Sequence, residues 1–462
     1  MLHLYNSLSG KKEEFQAINP PEVGMYVCGM TVYDYCHIGH ARVMVVFDIL
    51  ARHLRNLGYK LKYVRNITDI DDKIIKRAAE SNIDVKQLTE KFIQEMKADE
   101  HSLLCTPPNF EPRATEYIPE IIKIIEKLLQ LGYAYRANNG DVYYHVNKFQ
   151  DYGKLAHRKL EDLQVGARIA LNEEKENPLD FVLWKAKKAN EPFWQSPFGD
   201  GRPGWHIECS AMSGKELGAH FDIHGGGNDL KFPHHECEIA QSEAFFGKKT
   251  VNFWLHNGFV QINDEKMSKS LGNFFTVREV LEKFDGETLR FFILQTHYRA
   301  PLNYSEEGLQ EAKKALTRLY SAISQLNDDA VTVTDTESYK KYEEKFLEAL
   351  NDDLNTPKAL AVLFEIAKEA NKNNDKTSSE FAAILKTLGA KIGILQGNAE
   401  TWLKGESKNN SITEDEINQL ISERLAAKKE KNFTRADEIR NQLKEQGVEI
   451  KDTAAGTEWK WL

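Results

Sequence analysis

A strand–helix–strand arrangement near the start of the chain limits the fold more than any other feature. Met25–Cys28 is a short apolar run ending in Cys28-Gly29, and helical periodicity then runs from about His37 to Leu57 before Gly58. Glycine stops a helix because it takes the left-handed backbone of the cap at no steric cost. Leu61–Ile67 reads as the next strand, and Asp69–Asp72 opens another helix. Strands joined through a helix lie parallel, so the sequence predicts an α/β fold on a parallel sheet. Ligands on such sheets bind at the carboxyl ends of the strands.

The remaining segments can be placed around that sheet. Cys105–Pro119 carries four prolines and reads as a loop or linker. A helix over about Glu120–Leu131 leads to a strand at Asp141–Val146, and residues 147–204, rich in Pro, Gly and Asn, read as an insertion. The sheet resumes with Phe221–His224, then Gly225-Gly226-Gly227, a helix from about Pro233 to Phe246 and the strand Val251–His256. From Ser305 the pattern is helical: Glu306–Leu326, Glu337–Asn351 and Pro357–Asn371 place apolar residues at spacings of three and four. Asn371–Ser379 and Gln396–Asn410 read as polar connections, and Ile412–Leu462 as a small unit of two helices with a Trp-rich end. A chain of 462 residues is expected to form about three domains: 1–304 with an insertion at about 120–204, a helical bundle over 305–398, and 411–462.

No apolar run approaches the roughly 18 residues of a membrane span, and Met1–Phe15 lacks the apolar core of a secretory signal. A cytoplasmic protein is expected. The net charge of −9 excludes a uniformly basic surface but leaves room for a local basic face. The five cysteines are an odd number, better suited to metal ligands or buried thiols than to a disulfide framework.

Two short stretches look like halves of one phosphate-handling device. His37-Ile38-Gly39-His40 puts two imidazoles at a helix start, where free N–H groups and the dipole already favour anions. Gly39 between them lets a nucleotide approach the backbone. Lys266-Met267-Ser268-Lys269-Ser270 puts two ammonium groups and two hydroxyls in a loop after an apolar strand. A triphosphate attacked at its α-phosphorus needs donors on both sides. Gly226, Gly227 and Asp229, at the end of a predicted strand, are candidates for an adenosine seat.

A metal site is also legible. Cys28 ends the first strand, Cys209 follows Trp205-His206-Ile207-Glu208, and His234 and Glu238 share one helical face at a spacing of four. The absence of any CxxC pair excludes a zinc ribbon, while spacing alone also allows His224, His235, Glu236 or Cys237 as ligands, with Cys237 read as a buried thiol rather than a ligand.

The two signature stretches resemble those of class I aminoacyl-tRNA synthetases. Gly201–Met212, Asp222–Leu230 and Phe232–Glu238 narrow the resemblance to the cysteinyl-tRNA synthetase family, and it runs through essentially the whole chain. The resemblance implies a Rossmann-like catalytic domain, ATP with Mg²⁺, L-cysteine and tRNA(Cys) as partners, and a monomer. It further implies one Zn²⁺ on Cys28, Cys209, His234 and Glu238, phosphate contacts from His37, His40, Lys266 and Lys269, and a substrate pocket near Thr68, Trp205 and His206. Zinc prefers thiolate, so direct metal–sulfur bonding would select cysteine over serine.

In the last unit Arg424, Lys428, Lys431 and Arg435 recur at helical spacing, an expected basic stripe. Phe433 and Trp459 offer stacking faces, and Arg440 and Asp452 offer hydrogen bonds to base edges. Phe433–Arg440 and Gly456–Trp459 resemble the family's anticodon-reading unit. A ligase passing cysteine to a small amine, or a non-catalytic RNA-binding protein on the same fold, are the alternatives.

Overall fold

The structure, a computed structural model, describes the chain except residues 161–173, 263–264, 268–273, 325, 327–332, 373–375, 406–411, 454–455 and 462. At its centre is a sheet of four parallel strands in the order Val251–Asn257, Phe221–Gly227, Glu22–Val27, Lys60–Arg65. The helix Ile38–Asn56 makes the crossover between the last two. The predicted strand–helix–strand unit is therefore present, with boundaries shifted by a few residues.

Alternation along Glu22–Val27 decides what each face of the sheet meets. Met25 and Val27 point to one side, into a core with Phe47, Leu50, Ile223 and Leu255. Tyr26 and, just beyond the strand, Cys28 point to the other, into a core with Val64, Cys209, Cys237 and Trp254. The helices Trp205–Leu217 and Glu236–Phe246 supply that second face. A strand buried on both sides reads as continuous apolar sequence, as this one does.

The proline-rich stretch is a loop, as expected, held along the sheet edge by parallel bridges of Val64 with Phe110 and Ile67 with Arg113. Three expectations need correction. The inserted region contributes to a second, antiparallel sheet of Ala134–Arg136, Val142–Tyr144, Phe181–Ala186 and Gly201–Pro203. The helix expected from Pro233 begins at Glu236, after a wide turn over Lys231–His235 in which Phe232 is extended (φ −142°, ψ 131°). A residue before proline is driven out of the helical region by the ring, which accounts for the delay. Both polar connections are partly helical, through Lys376–Lys391 and Ala399–Lys404.

The chain separates into two compact units. The first comprises Met1–Ala312, Glu343–Val362 and Lys391–Ile394 and contains the parallel sheet. The second comprises Lys313–Tyr342, Leu363–Ala390 and Leu395–Leu462. In the second, the helices Glu414–Lys429 and Phe433–Glu445 and the hairpin Val448–Thr453/Gly456–Trp461 close over Ile417, Ile421, Ile439, Leu443, Val448 and Ile450. The Trp-rich end is thus a β-hairpin. Among the described residues, no helix is long and apolar enough to cross a membrane.

Candidate active site and metal centre

A cleft of about 310 Å³ opens at the carboxyl ends of the parallel strands. Cys28 and Gly29 follow one strand, Gly227 ends a second with Asp229 just beyond it, and Asn257 ends a third; all five line it. His37, Gly39 and His40 line it from the helix side, and Met267 from the lysine-rich segment. Both signature stretches therefore meet in one cavity.

The histidine pair is built by helix capping. His37 is the N-cap of Ile38–Asn56, and its Nδ1 accepts from the His40 N–H at 3.2 Å while His40 Nδ1 accepts from the His37 N–H at 3.3 Å. The rings stack 3.6 Å apart. An imidazole that accepts at Nδ1 must carry its proton on Nε2, so both rings present Nε2–H donors. Gly39 is required for a further reason: a Cβ there would come within 2.8 Å of His37 Cε1.

Lys266 ends the two-residue strand Glu265–Lys266, paired with Val260–Ile262. Lys269 lies outside the described residues. Just downstream, Phe275 O accepts from the Ile38 N–H (3.2 Å), and the Val277 N–H donates to Cys36 O (2.8 Å). The lysine segment is thereby tied to the histidine cap.

At the cleft base, Cys28, Cys209, His234 and Glu238 are all buried with one donor atom each inside a 4.8 Å cluster. Cys28 Sγ is 3.6 Å from Cys209 Sγ and 3.4 Å from Glu238 Oε1; His234 Nε2 is 3.6 Å from Cys209 Sγ and 3.0 Å from Glu238 Oε1. Tetrahedral bonds of about 2.0–2.3 Å place ligand atoms roughly 3.3–3.8 Å apart; three of these four distances fall in that range and the His234–Glu238 pair, at 3.0 Å, is closer, as a directly paired imidazole and carboxylate are. Glu238 Oε2 is buried without a hydrogen-bond partner. Burial pushes the Cys28 thiol and the Glu238 carboxyl well up, and Cys28 donating to Cys209 brings the latter down to about 7. Crowded, buried acids of this kind are relieved by a cation.

A second set, Cys28, His224, His235 and Glu238, shares two of these residues. The other two residues that spacing allowed are engaged elsewhere. Cys237 Sγ lies 3.3 Å from the Tyr152 hydroxyl, and Glu236 accepts from the Leu155 and Ala156 N–H groups. His234 is oriented from behind by His206, whose Nδ1 is 2.8 Å from His234 Nδ1, and Gln241 Nε2 donates to His206 O at 2.8 Å. Trp205, 40% exposed, packs on the His234 ring and lines the cleft. Trp205 and His206 thus differ: one faces the cavity, the other supports it. Thr68 is also a support, donating to Glu208 Oε2 at 3.2 Å. Gly226 stands in the sheet, where a Cβ would approach His235 Cε1 to 2.9 Å, and does not line the cavity.

Sequence reasoning missed Glu208, Tyr33, Lys73 and Asn257, the last three of which line the cleft. Only Asn257, closing an apolar run, had a readable signal.

In the second unit the expected basic stripe is broken. Arg424 is buried, and its two Nη groups donate to the two Asp452 oxygens at 2.8 and 3.0 Å; Lys428 and Thr457 bind the same carboxylate. The Arg424 hydrogen bonds hold the Asp452 carboxyl far below its usual range. Trp459 packs against the small core and donates to Asn418 Oδ1. Phe433 is 63% exposed; Arg435 and Arg440 are exposed on the same helix, Arg440 one face-repeat on from Phe433 and Arg435 paired with Glu423 and Glu438.

Comparison with known proteins matches this arrangement. Residues 14–314 match the class I tRNA synthetase (C) catalytic domain, 345–396 a DALR domain, and 413–459 the cysteinyl-tRNA ligase anticodon binding domain. The fold is also that of the Mycobacterium tuberculosis methionyl-tRNA synthetase bound to methionyl-adenylate, with a TM-score of 0.59 at 14% identity over 84% of this chain and 94% of that one. These features define a class I aminoacyl-tRNA synthetase fold. The cysteine–tRNA ligases of Dichelobacter nodosus and Hydrogenovibrio crunogenus are 58% and 55% identical, each over 99% of both chains. The chain belongs to the cysteinyl-tRNA synthetase family.

Proposed function

We propose that this chain joins L-cysteine to tRNA(Cys) at the expense of ATP, through cysteinyl-adenylate. The observation that carries the reading is the meeting of both signature stretches in one cleft with Cys28, a member of the four-donor set, in its wall. The cysteine carboxylate attacks the α-phosphorus of MgATP, and pyrophosphate leaves. Nε2–H of His37 and His40 donate to the charge that grows on the phosphates, and Lys266 and Lys269 add positive charge to the same groups. Donors fixed before the reaction stabilise the transition state without reorganising. Gly227 and Asp229 seat the nucleotide. A ribose hydroxyl of the terminal tRNA adenosine then attacks the activated carbonyl, and AMP leaves, so no side-chain nucleophile is needed.

Cys28, Cys209, His234 and Glu238 would hold Zn²⁺, which when bound supplies a soft site for an ionised substrate thiol. This set is preferred to the one with His224 and His235 because it pairs two thiolates with the ion and includes His234, whose ring Trp205 carries to the cleft. His206 fixes the His234 tautomer, as outer partners of metal ligands do. In the C-terminal part, Phe433, Arg435 and Arg440 face the RNA with Lys428 and Trp459 at the margin, while the Arg424–Asp452 pair shapes the surface from beneath. The protein works in the cytoplasm as a monomer.

Cysteine-dependent pyrophosphate exchange without RNA tests the first step, and charging of tRNA the second. Exchange without charging would favour transfer to a small amine; absence of exchange would overturn the assignment.

A further inference from the structure

Arg42 is fully buried, two residues past His40 on the same helix. Among the described residues no carboxylate pairs with it. Instead its two Nη groups donate to five main-chain carbonyls: Gly258 (3.0 Å), Phe259 (2.8 Å), His297 (3.3 Å), Tyr298 (3.1 Å) and Ala300. Burial brings the guanidinium down to about 10, so it remains charged at neutral pH. A buried cation held only by backbone dipoles is a costly device. Phe259, His297 and Tyr298 O also accept main-chain N–H groups from Leu302, Ala300 and Gly258, and Gly258 O accepts from the Asn257 side chain, so what the guanidinium adds is the tie from the helix to both segments.

The carbonyls belong to two segments with a common destination. Gly258 and Phe259 line the cleft and lead into Val260–Ile262; His297–Ala300 lead into Leu302–Tyr304. These two strands pair in parallel, Val260 opposite Leu302, and Glu265–Lys266 pairs with the first of them. Arg42 therefore rivets the helix that begins with the histidine pair to the small sheet that carries the first signature lysine.

We infer that Arg42 is a positioning residue for adenylate formation, setting the separation of the histidine and lysine halves of the triphosphate site. The planar fork is what the geometry demands. A lysine retains the charge, but its three donors radiate from one atom and cannot span two segments. The inference rests on the ATP-dependent reading of the cleft.

The test is R42K in the full chain, with R42Q as a second variant. In pyrophosphate exchange, kcat/KM for ATP should fall roughly 10²-fold, the scale of a catalytic group displaced by about an ångström. KM for cysteine should stay within about twofold, since the donor set lies on other elements. Hydrogen exchange of the folded variant should quicken at 258–262 and 300–304, with 205–217 and 236–246 unchanged. Parallel loss of the ATP and cysteine parameters, or unaltered exchange at 258–262, would overturn the proposal. So would failure of both variants to fold, which would make Arg42 a residue of the fold at large. Wild-type protein without pyrophosphate exchange would instead sink the ATP reading, and the hydrogen-exchange arm would still report on the rivet.

Discussion

Replacing Gly225 by alanine probes how packing beneath the sheet controls the four-donor cluster above it. Gly225 lies within the strand Phe221–Gly227, outside the left-handed region, so alanine suits its backbone. Space is the obstacle. A Cβ at 225 would stand 3.0 Å from Phe47 Cδ1 and nearer still to Cε1 and Cζ. Carbon atoms rest at about 3.5–4.0 Å, so ring or strand must retreat by more than about 1 Å. Phe47 is buried in the core. The strand cannot yield either, because Gly225 is in register with both Val27 and Leu255 and its carbonyl accepts from the Cys28 N–H at 3.0 Å. Overpacking of this kind costs about 1–3 kcal/mol, and the upper half of that range is expected. The retreat also drags Cys28, so bound metal should fall in step. Phe47→Leu alone should cost about 1 kcal/mol, through the cavity it leaves. The double variant should lose at least about 1 kcal/mol less than the sum of the two, because the smaller side chain makes room for the methyl group. Urea denaturation and metal analysis of all four proteins measure this cycle. Additive losses, or a Gly225→Ala protein with the wild-type midpoint and full metal, would refute the steric account.

Cys209→Ser should lower metal affinity at least about 10²-fold and weaken selection against serine; metal titration and exchange with each amino acid read both, and full occupancy at low metal would contradict the donor set. His53 is buried, donates from Nε2 to Asn351 Oδ1, and is lowered by burial to about 4. The unfolded chain takes up that proton from about pH 6.5 downward, so the contribution is whole above pH 6.5 and disappears as pH falls toward 4. Between pH 7 and 5 it should amount to roughly 2 kcal/mol, and His53→Gln should flatten the stability–pH curve by that amount; an unchanged slope would show that His53 titrates normally. Deleting 412–462 should leave pyrophosphate exchange within about twofold and cut tRNA charging sharply, whereas undiminished charging would remove the RNA role from that unit.

Sequence reasoning located this fold where hydrophobic periodicity was clean and lost it where structure came from distant partners. The central strands and the helix after His37 are apolar enough to announce themselves. The hairpin His3–Asn6/Lys11–Glu14 was missed because its second strand, Lys-Lys-Glu-Glu, is exposed at an edge and carries no apolar face. The C-terminal hairpin was within reach, since Gly456–Trp461 alternates exposed with half-buried residues. That the proline-rich loop is bridged to the sheet edge could not be read, because its partners, Val64 and Ile67, lie some forty residues earlier. Similar limits apply to the site. Cys28, Cys209, His234 and Glu238 converge only through the sheet's alternation and two separate helices. His224 and His235 converge on the same Cys28 and Glu238, and no spacing along the chain separates the two donor sets. Arg424 looked like a surface charge because the aspartate it meets arrives 28 residues later.

The reciprocal bonds between His37 and His40 also bear on how this enzyme can change. Ordinarily a helix-starting residue and a proton-bearing catalytic group can be altered separately. Here one pair of rings caps the helix through Nδ1 and, on the proposed reading, serves the phosphates through Nε2, so a substitution that retunes the chemistry also frays the first turn. Drift at these two positions is therefore constrained twice over, and a lineage that abandoned the reaction would still be under pressure to keep an acceptor at each.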